Sequence, residues 1–315
     1  MTITPGLHRM TADEYHAEQF SPIPLLSNTI GKILIGQSPL HAWTQHPKLN
    51  PQWEPTESAT FDIGRAAHRA ILGAGGEYVA YPSDMLAANG AISTKAAKEW
   101  AAEQREAGRT PLKADDVDLI GAIAASAARR LTAMGITLDP ARSEMVALAE
   151  IDGVSCKAMI DNAPADPRLP LYDVKTCEDA NPDAVIRAVC NYGYDFQAAW
   201  YLDTWRAATG ETRRFRFVFV EKSPPHSASV IELHGAANDS ADWMDDARGK
   251  TAEARRLWAE CLSTGVWPDY PARVAIVGAP SWHRAKWENR TPTPTASPAT
   301  IASAAAWQAP ERMKA

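Results

Sequence analysis

The sequence predicts an α/β fold in which a mixed central sheet is flanked by helices. Two observations carry that reading. Strand-like segments at 143–150, 154–161 and 171–176 follow one another in mid-chain with only short connections, and helix-like runs bracket them on both sides. Apolar and polar residues roughly alternate from Glu144 through Leu148, and Asp152-Gly153 is a hairpin turn signal, so the first two strands pair antiparallel. With 315 residues and 45% hydrophobic content, the chain can bury one sizeable domain with appendages, or two small ones.

Taken in order, residues 1–24 are mixed and interrupted by Pro5, Pro22 and Pro24. Ser27 is a good N-cap for a helix through Ile30, Ile33, Leu34 and Ile35 to Gly36, and Ser38-Pro39 starts a second, short one. A helix over 58–73 is capped by Ser58 and stopped by Gly73, with Phe61, Gly64, His68 and Ile71 on one face. Residues 74–92 read as a loop holding a strand at 78–81, and helices follow over 93–107 and 115–134, the second closed by Gly135. Alanine-rich 122–128 points to tight helix packing.

Beyond the central strands, Asn181-Pro182 starts a helix that the pattern carries to about Thr209-Gly210. Strands at 215–220 and 229–233 precede a last long helix over 240–262 with Trp243, Leu257 and Trp258 as core. Residues 282–287 mix bases with aromatics and suit a nucleic-acid strand or a partner surface. The Thr/Pro/Ala/Ser-rich stretch 291–306 reads as disordered, and Trp307 beyond it as part of a docking peptide. The organisation expected is a helical and irregular segment over 1–57, a core over 58–275, and a tail over 276–315.

The net charge of −6 disfavours a protein that merely coats nucleic acid, though a local basic surface on an acidic protein still permits DNA contact. Cys156, Cys177, Cys190 and Cys261 form no Cys-x-x-Cys pair and no Cys/His cluster, which argues against zinc, iron–sulfur and secreted disulfide frameworks. The first residues lack a basic start and an apolar core, and no run is long enough to span a bilayer, so a cytoplasmic protein is expected.

The chemistry gathers at the strand ends. Asp173 and Lys175 leave one face of their strand, and Asp161 ends the strand before it. Two carboxylates and a lysine at a sheet edge suit a divalent cation and phosphodiester hydrolysis, with the lysine orienting water or offsetting charge on phosphorus. On these residues alone a solvated salt bridge explains Asp173 and Lys175 equally well. His68 on an apolar stripe reads as a hydrogen-bonded core histidine or as a ligand. Tyr194, Gln197 and Tyr201 share one side of their helix, as half-buried packing or as a polar face toward the acids. Arg213, Arg214 and Arg216 read either as phosphate contacts or as a solvated strand end.

The order of these residues narrows the choice. Gly64-Arg-Ala-Ala-His68, Asp161 at a strand end, Asp173-Val-Lys175 and Gln197-Ala-Ala-Trp-Tyr201 resemble the motif series of the PD-(D/E)XK nuclease superfamily, in its RecB-like branch, and specifically the RecE-type exonuclease domains of phages and prophages. Leu26-Ser27 followed by Ser38-Pro39 resembles the entry helix of that family. The resemblance spans roughly residues 5–275. It implies a restriction-endonuclease-like core, with His68, Asp161 and Asp173 holding Mg²⁺ or Mn²⁺ and the Val174 carbonyl as an extra ligand. It further implies that Lys175 positions the nucleophilic water, that Gln197 and Tyr201 organise the site, and that Glu144, with Glu150 competing for the role, supplies another acid; the hairpin turn should leave Glu150 outside the site. Ser27, Arg214 and Arg216 become its DNA-binding candidates. Ala158 stands where many relatives have glycine, and Met159 where they often have a base; neither departure removes a ligand.

By the same resemblance the activity is degradation of double-stranded DNA from its ends, 5′ to 3′, for recombination. A ring-like homo-oligomer and a RecT-like single-strand annealing protein are the implied partners. The alternatives are a structure-dependent or single-strand endonuclease, and a non-catalytic binding module of the same fold.

Overall fold

The computed structural model describes residues 4–54, 59–73, 77–233 and 243–289, and of 59–65 the backbone alone. Ser58, the side chain of Phe61, Ser240, the stretch 291–306 and Trp307 therefore lie outside the described residues. Residues through Tyr270 form one compact unit, and those from Pro271 onward a second.

The chain opens with β1 (Gly6–His8) and α1 (Ala12–Ala17), the latter started by a capping box between Thr11 and Glu14. β2 (Leu26–Ser27) runs directly into α2 (Asn28–Gly36), where Ser27 accepts from the Ile30 N–H as N-cap. α3 (Pro39–Thr44) is capped by Ser38 with proline in its first turn. α4 (Ala59–Leu72) ends at Gly73, whose φ of +61° is the left-handed stop that glycine permits. A separate two-stranded parallel sheet joins β3 (Glu77–Ala80) to β4 (Arg109–Leu112), with α5 (Lys95–Glu106) between them and α6 (Ala114–Ala133) after. β4 has no alternating pattern to betray it, since it spends a proline at Pro111 on a short sheet edge.

The main sheet begins with β5 (Ser143–Ile151) and β6 (Val154–Asn162), paired antiparallel around Asp152 and Gly153, both at positive φ. β7 (Leu171–Cys177) follows, then α7 (Pro182–Tyr192) and α8 (Tyr194–Thr209). The sequence pattern predicts one continuous helix over 182–209; the chain instead breaks at Gly193, which caps both helices at φ +61°. β8 (Phe215–Glu221), β9 (Ala228–Ile231) and α9 (Trp243–Thr264) complete the unit. In the second unit, α10 (Ser281–Glu288) carries the exposed Trp282 and Trp287.

Among the described residues the main sheet has seven strands, in the order β1-β5-β6-β7-β8-β9 with β2 attached to β6. β7 and β8 are parallel, as are β2 and β6, and the other pairs are antiparallel, so the sheet is mixed. On one face Met145, Ala147, Ala158, Ile160, Leu171, Phe217 and Phe219 pack with Phe196, Trp200 and Trp205 of α8 and Trp258 of α9. On the other, Tyr172, Val174, Val218 and Val220 meet Leu72 of α4 and Ile123, Ala127 and Leu131 of α6. That alternation is the period-two signature of a strand buried on both sides.

One interruption in this sheet positions everything that follows. β6 and β7 pair at a single register position, Asn162 with Tyr172, and then diverge. β2 occupies the opened edge of β6, with Leu26 opposite Cys156 and Ser27 opposite Lys157. The N-terminus of α2 thus enters the sheet at the fork.

Close packing of α2 on α8 makes a clear prediction. A Cβ on Gly31 would lie 2.8 Å from Cζ of Phe196, whereas one on Gly121 in α6 would meet nothing within 4 Å. Gly31→Ala is expected to lower stability by about 1–3 kcal/mol through overpacking, and Gly121→Ala to raise it by about 0.5–1 kcal/mol. Urea denaturation of the two variants checks both signs.

Candidate active site

The fork places side chains from five elements around one gap. Asp161, next to the last residue of β6, turns its carboxylate to the neighbouring strand and accepts the Val174 N–H through Oδ2 at 2.7 Å. That bond replaces a ladder bond that diverging strands no longer make. Asp173 of β7 is 1% exposed; its Oδ2 accepts from Nε2 of Gln197 at 2.6 Å, and its Oδ1, which takes no well-angled hydrogen bond, meets Nζ of Lys175 at 2.5 Å. His68 comes across from α4, with Nε2 2.8 Å from Asp161 Oδ2 and Nδ1 3.7 Å from Glu144 Oε1.

Glu144 adopts φ +50°, which costs a residue with a Cβ roughly 1–2 kcal/mol. The β5–β6 register runs from Ser143 opposite Asn162 to Met145 opposite Ile160 and skips Glu144 and Asp161 between them. The strain lies where two carboxylates face each other. Glu150 instead pairs with Ser155 far down the hairpin and is exposed.

The electrostatics follow from this crowding. Burial pushes Asp173 upward and the charge of Asp161 adds to it, so that despite Lys175 its carboxyl stands at about 6. Burial also raises Asp161, but the His68 contact, the Lys175 charge and the Val174 N–H bring it below its ordinary value. For His68, burial alone would lower the imidazole; Asp161, with Asp173 and Glu144 beyond, lifts it to about 9. Burial lowers Lys175 while Asp173 and Asp161 raise it, and the carboxylates win, so the ammonium stays charged.

Tyr201, three residues past Ala198 on α8, has its hydroxyl hydrogen-bonded with Gln197 and pushed well up by burial and the nearby acids. With Asp161 it lines a cavity of about 360 Å³ bounded by Ser27, Asn28, Trp53 and Lys157. Ser27 therefore borders the cavity, but its hydroxyl is used to cap α2. Arg214 and Arg216 are not in this group. Both pair with Glu232, Arg216 at 2.7 Å and Arg214 at 3.7 Å, and Arg216 stands opposite Tyr172 on the sheet face away from Asp173. Sequence reasoning missed Glu18, Lys157 and His46. Lys157 donates to the Tyr15 carbonyl at 2.7 Å and sits 2.5 Å from Glu18, whose other oxygen accepts the Leu25 N–H at 2.8 Å. The available signal was a lysine in an apolar strand, four residues before Asp161 and so on its face.

Hard carboxylate oxygens and one imidazole are a donor set that fits a divalent cation. Asp161, Asp173 and His68 would hold it, with Glu144 adjacent. Among the described residues no three such donors already surround a common point, and His68 rests on Oδ2 of Asp161. Three acids, Asp161, Asp173 and Glu144, face two bases, His68 and Lys175, so the group carries an excess of acidic partners for added positive charge.

The model of a PDDEXK-like domain of unknown function (DUF3799) matches residues 37–279. No curated protein matches the chain. Among solved structures, the chain is similar to a protein of Eubacterium rectale named as a candidate exonuclease, at 16% identity and TM-score 0.56, over 95% of this chain and 99% of that one. Weaker likenesses are to a phage-related exonuclease from Haemophilus somnus 129PT, at 12% identity and TM-score 0.30 over 67% and 85%, and to an alkaline exonuclease from Laribacter hongkongensis, at 16% and 0.27 over 66% and 96%. The likeness to the Eubacterium rectale protein supports the fold.

The His68 environment is directly measurable. In metal-free protein its imidazole is expected to titrate near 9 by NMR, and in Asp161→Asn distinctly lower than in the wild type, because burial then acts with its main counter-charge gone and only Asp173 and Glu144 left to oppose it. The raised value stabilises the fold fully below the ordinary histidine range, and that contribution is lost as pH rises through about 9. An unshifted His68 in the wild type would contradict the geometry.

Proposed function

This chain belongs to the family of PDDEXK-like domains of unknown function (DUF3799), and from that membership we propose that it is a divalent-metal-dependent deoxyribonuclease that hydrolyses phosphodiester bonds. The observation that carries the reading is the buried gathering of Asp161, Asp173 and Lys175 at the β6–β7 fork, with Gln197 bonded to Asp173 and His68 to Asp161. A salt bridge of purely structural value has no need of a second buried carboxylate beside it.

A cation held by Asp161, Asp173 and His68 would neutralise the phosphate and make water a better nucleophile. The chain's own residues do the rest. Lys175, kept charged by Asp173 and Asp161, donates hydrogen bonds and offsets the charge that grows on the phosphate oxygens as water adds and the ester oxygen leaves. It is an electrostatic and positioning group, since a lysine raised above its ordinary value is a poor base. Gln197 fixes the Asp173 carboxylate through Nε2, and Tyr201 bonds with Gln197 and closes the cavity wall beside Asp161. The cavity provides room for the nucleotide next to the reacting phosphate.

The finer reading is an exonuclease that degrades duplex DNA from its ends, 5′ to 3′, in recombination, as a ring-like homo-oligomer working with a single-strand annealing protein. Its support is the family resemblance of the four motifs in order. Mg²⁺ and Mn²⁺ are the cations that suit the donor set. No described helix is long and apolar enough to cross a membrane.

The test is digestion of linear duplex DNA labelled at either end, with Mg²⁺ or Mn²⁺ and with EDTA. The wild type is expected to release the 5′ label only with metal and to leave a covalently closed circle intact. Asp173→Ala should lower the rate by at least about a hundredfold. Metal-independent cleavage, or full activity in the variant, would sink the proposal; cutting of the circle would convert it to an endonuclease.

Cation binding has its own readout. At about a hundred times its Kd the cation should stabilise the fold by about 2.7 kcal/mol, seen as a raised Tm in the wild type. Asp161→Asn combined with Asp173→Asn should show no such rise.

A further inference from the structure

A row of side chains leads out of the site along the elbow between α7 and α8. Nζ of Lys175 lies over the Tyr194 ring, 5.3 Å from its centroid. Tyr194 is anchored on the sheet by Phe217 and Phe219, with ring centroids 5.4 and 5.8 Å away. Tyr192 leans on Tyr194 at 5.6 Å and 34°, yet is 63% exposed. Lys32 of α2 reaches the same point and donates through Nζ to the Tyr192 carbonyl at 3.0 Å.

Lys32 is placed as a cation with work to do. It is half-buried and feels the charge of Lys175, and among the described residues no carboxylate forms an ion pair with it. The nearest acid of α8, Asp195, is taken by Lys250 at 2.7 Å. The elbow is shaped around its stem, because a Cβ at Gly193 would stand 3.0 Å from Cδ of Lys32. The helix break at Gly193, φ +61°, therefore both turns Tyr192 outward and admits the lysine.

Burial and the Lys175 charge work against the Lys32 ammonium, and Asp173 and Asp195 only partly offset them, so a further anion at this point is favourable. An exposed aromatic face within the same few residues adds a surface for a base that is not paired in a duplex. We propose that the α7–α8 elbow is a binding site for a single DNA strand, on which Tyr192 stacks a base and Lys32 takes a backbone phosphate next to the Lys175 site. This rests on the nuclease reading above and adds to it the form in which the strand meets the site: unpaired by at least one nucleotide.

Binding and cleavage are separable, so the test is run without metal. The full chain in EDTA is titrated into a fluorescein-labelled oligothymidylate of about 12 nucleotides, and anisotropy is followed at several salt concentrations. Tyr192→Ala is expected to weaken binding roughly tenfold, within the range of a single base–aromatic stack, and Tyr192→Phe to bind like the wild type. Lys32→Ala should weaken binding and reduce the magnitude of the salt slope by about 0.7, the share of one phosphate contact on a single strand, while Lys32→Arg keeps it. Wild type that does not bind the oligonucleotide, or Tyr192→Ala and Lys32→Ala that bind within about twofold of it, overturns the proposal. If the wild type cleaves linear duplex DNA while the variants bind unchanged, the elbow fails and the nuclease stands. If the variants lose binding and the wild type never cleaves, the elbow stands and the nuclease fails.

Discussion

Like-charge repulsion between Asp161 and Asp173 in one buried gap is the constraint to which the surrounding residues answer. Each carboxylate would be raised by burial, and each raises the other's cost of ionisation. The chain resolves the conflict asymmetrically. Asp161 receives His68 and the Val174 N–H and stays ionised below its ordinary value, while Asp173 receives Lys175 and Gln197 and is still lifted. α4, β7 and α8 are thus held around the fork by polar contacts as well as by the apolar clusters on both faces of the sheet. Such a site lowers stability in return for a place where added positive charge is welcome.

The same fork explains why the first residues of the chain are tied into the sheet. β7 leaves β6, and an edge that lost its partner would expose backbone donors and acceptors. β2 takes that edge at Cys156 and Lys157. Below it, Glu18 and Lys157 form a buried pair that also gathers the Leu25 N–H and the Tyr15 carbonyl. Burial raises Glu18 and lowers Lys157, so the surroundings disfavour both charges, and the pair is a weak source of net stability. Its geometric effect is clearer: it fixes which residues of the N-terminal segment stand opposite β6, and thereby sets Ser27, Asn28 and the start of α2 beside Asp161.

How much of this was legible in the sequence follows from range. The hairpin at Asp152-Gly153, the capped helices, and the same-face placement of Asp173 and Lys175 depend on neighbours within a few residues, and those signals were present. The order of His68, Asp161, Asp173 and Gln197 also marked which side chains would meet, because a motif series records long-range contacts that no local period shows. β1, β2 and β4 are short and borrow their structure from a partner strand, so nothing in their own residues announced them. Arg214 and Arg216 looked free in sequence because Glu232, their partner, comes from beyond β9. Glu18 and Lys157 were invisible as a pair for the same reason, lying far apart in the chain.

The break at Gly193 shows how a local misreading and the geometry of the site are connected. By periodicity, residues 182–209 continue as one helix, and nothing apolar interrupts them; the glycine alone permits the left-handed turn. Without the break, α8 could not start at Tyr194, and the spacing that brings Tyr194, Gln197 and Tyr201 to one side of it would be rotated relative to α7's packing on Val185 and Val189. With the break, Val185 and Val189 stay in the core while α8 takes a direction of its own, set by Phe196, Trp200 and Trp205 beneath the sheet. Gln197 then reaches Asp173, and Tyr194 lies under Lys175. A single residue without a side chain therefore separates two demands, burial of α7 and aim of α8, that one straight helix could not meet together.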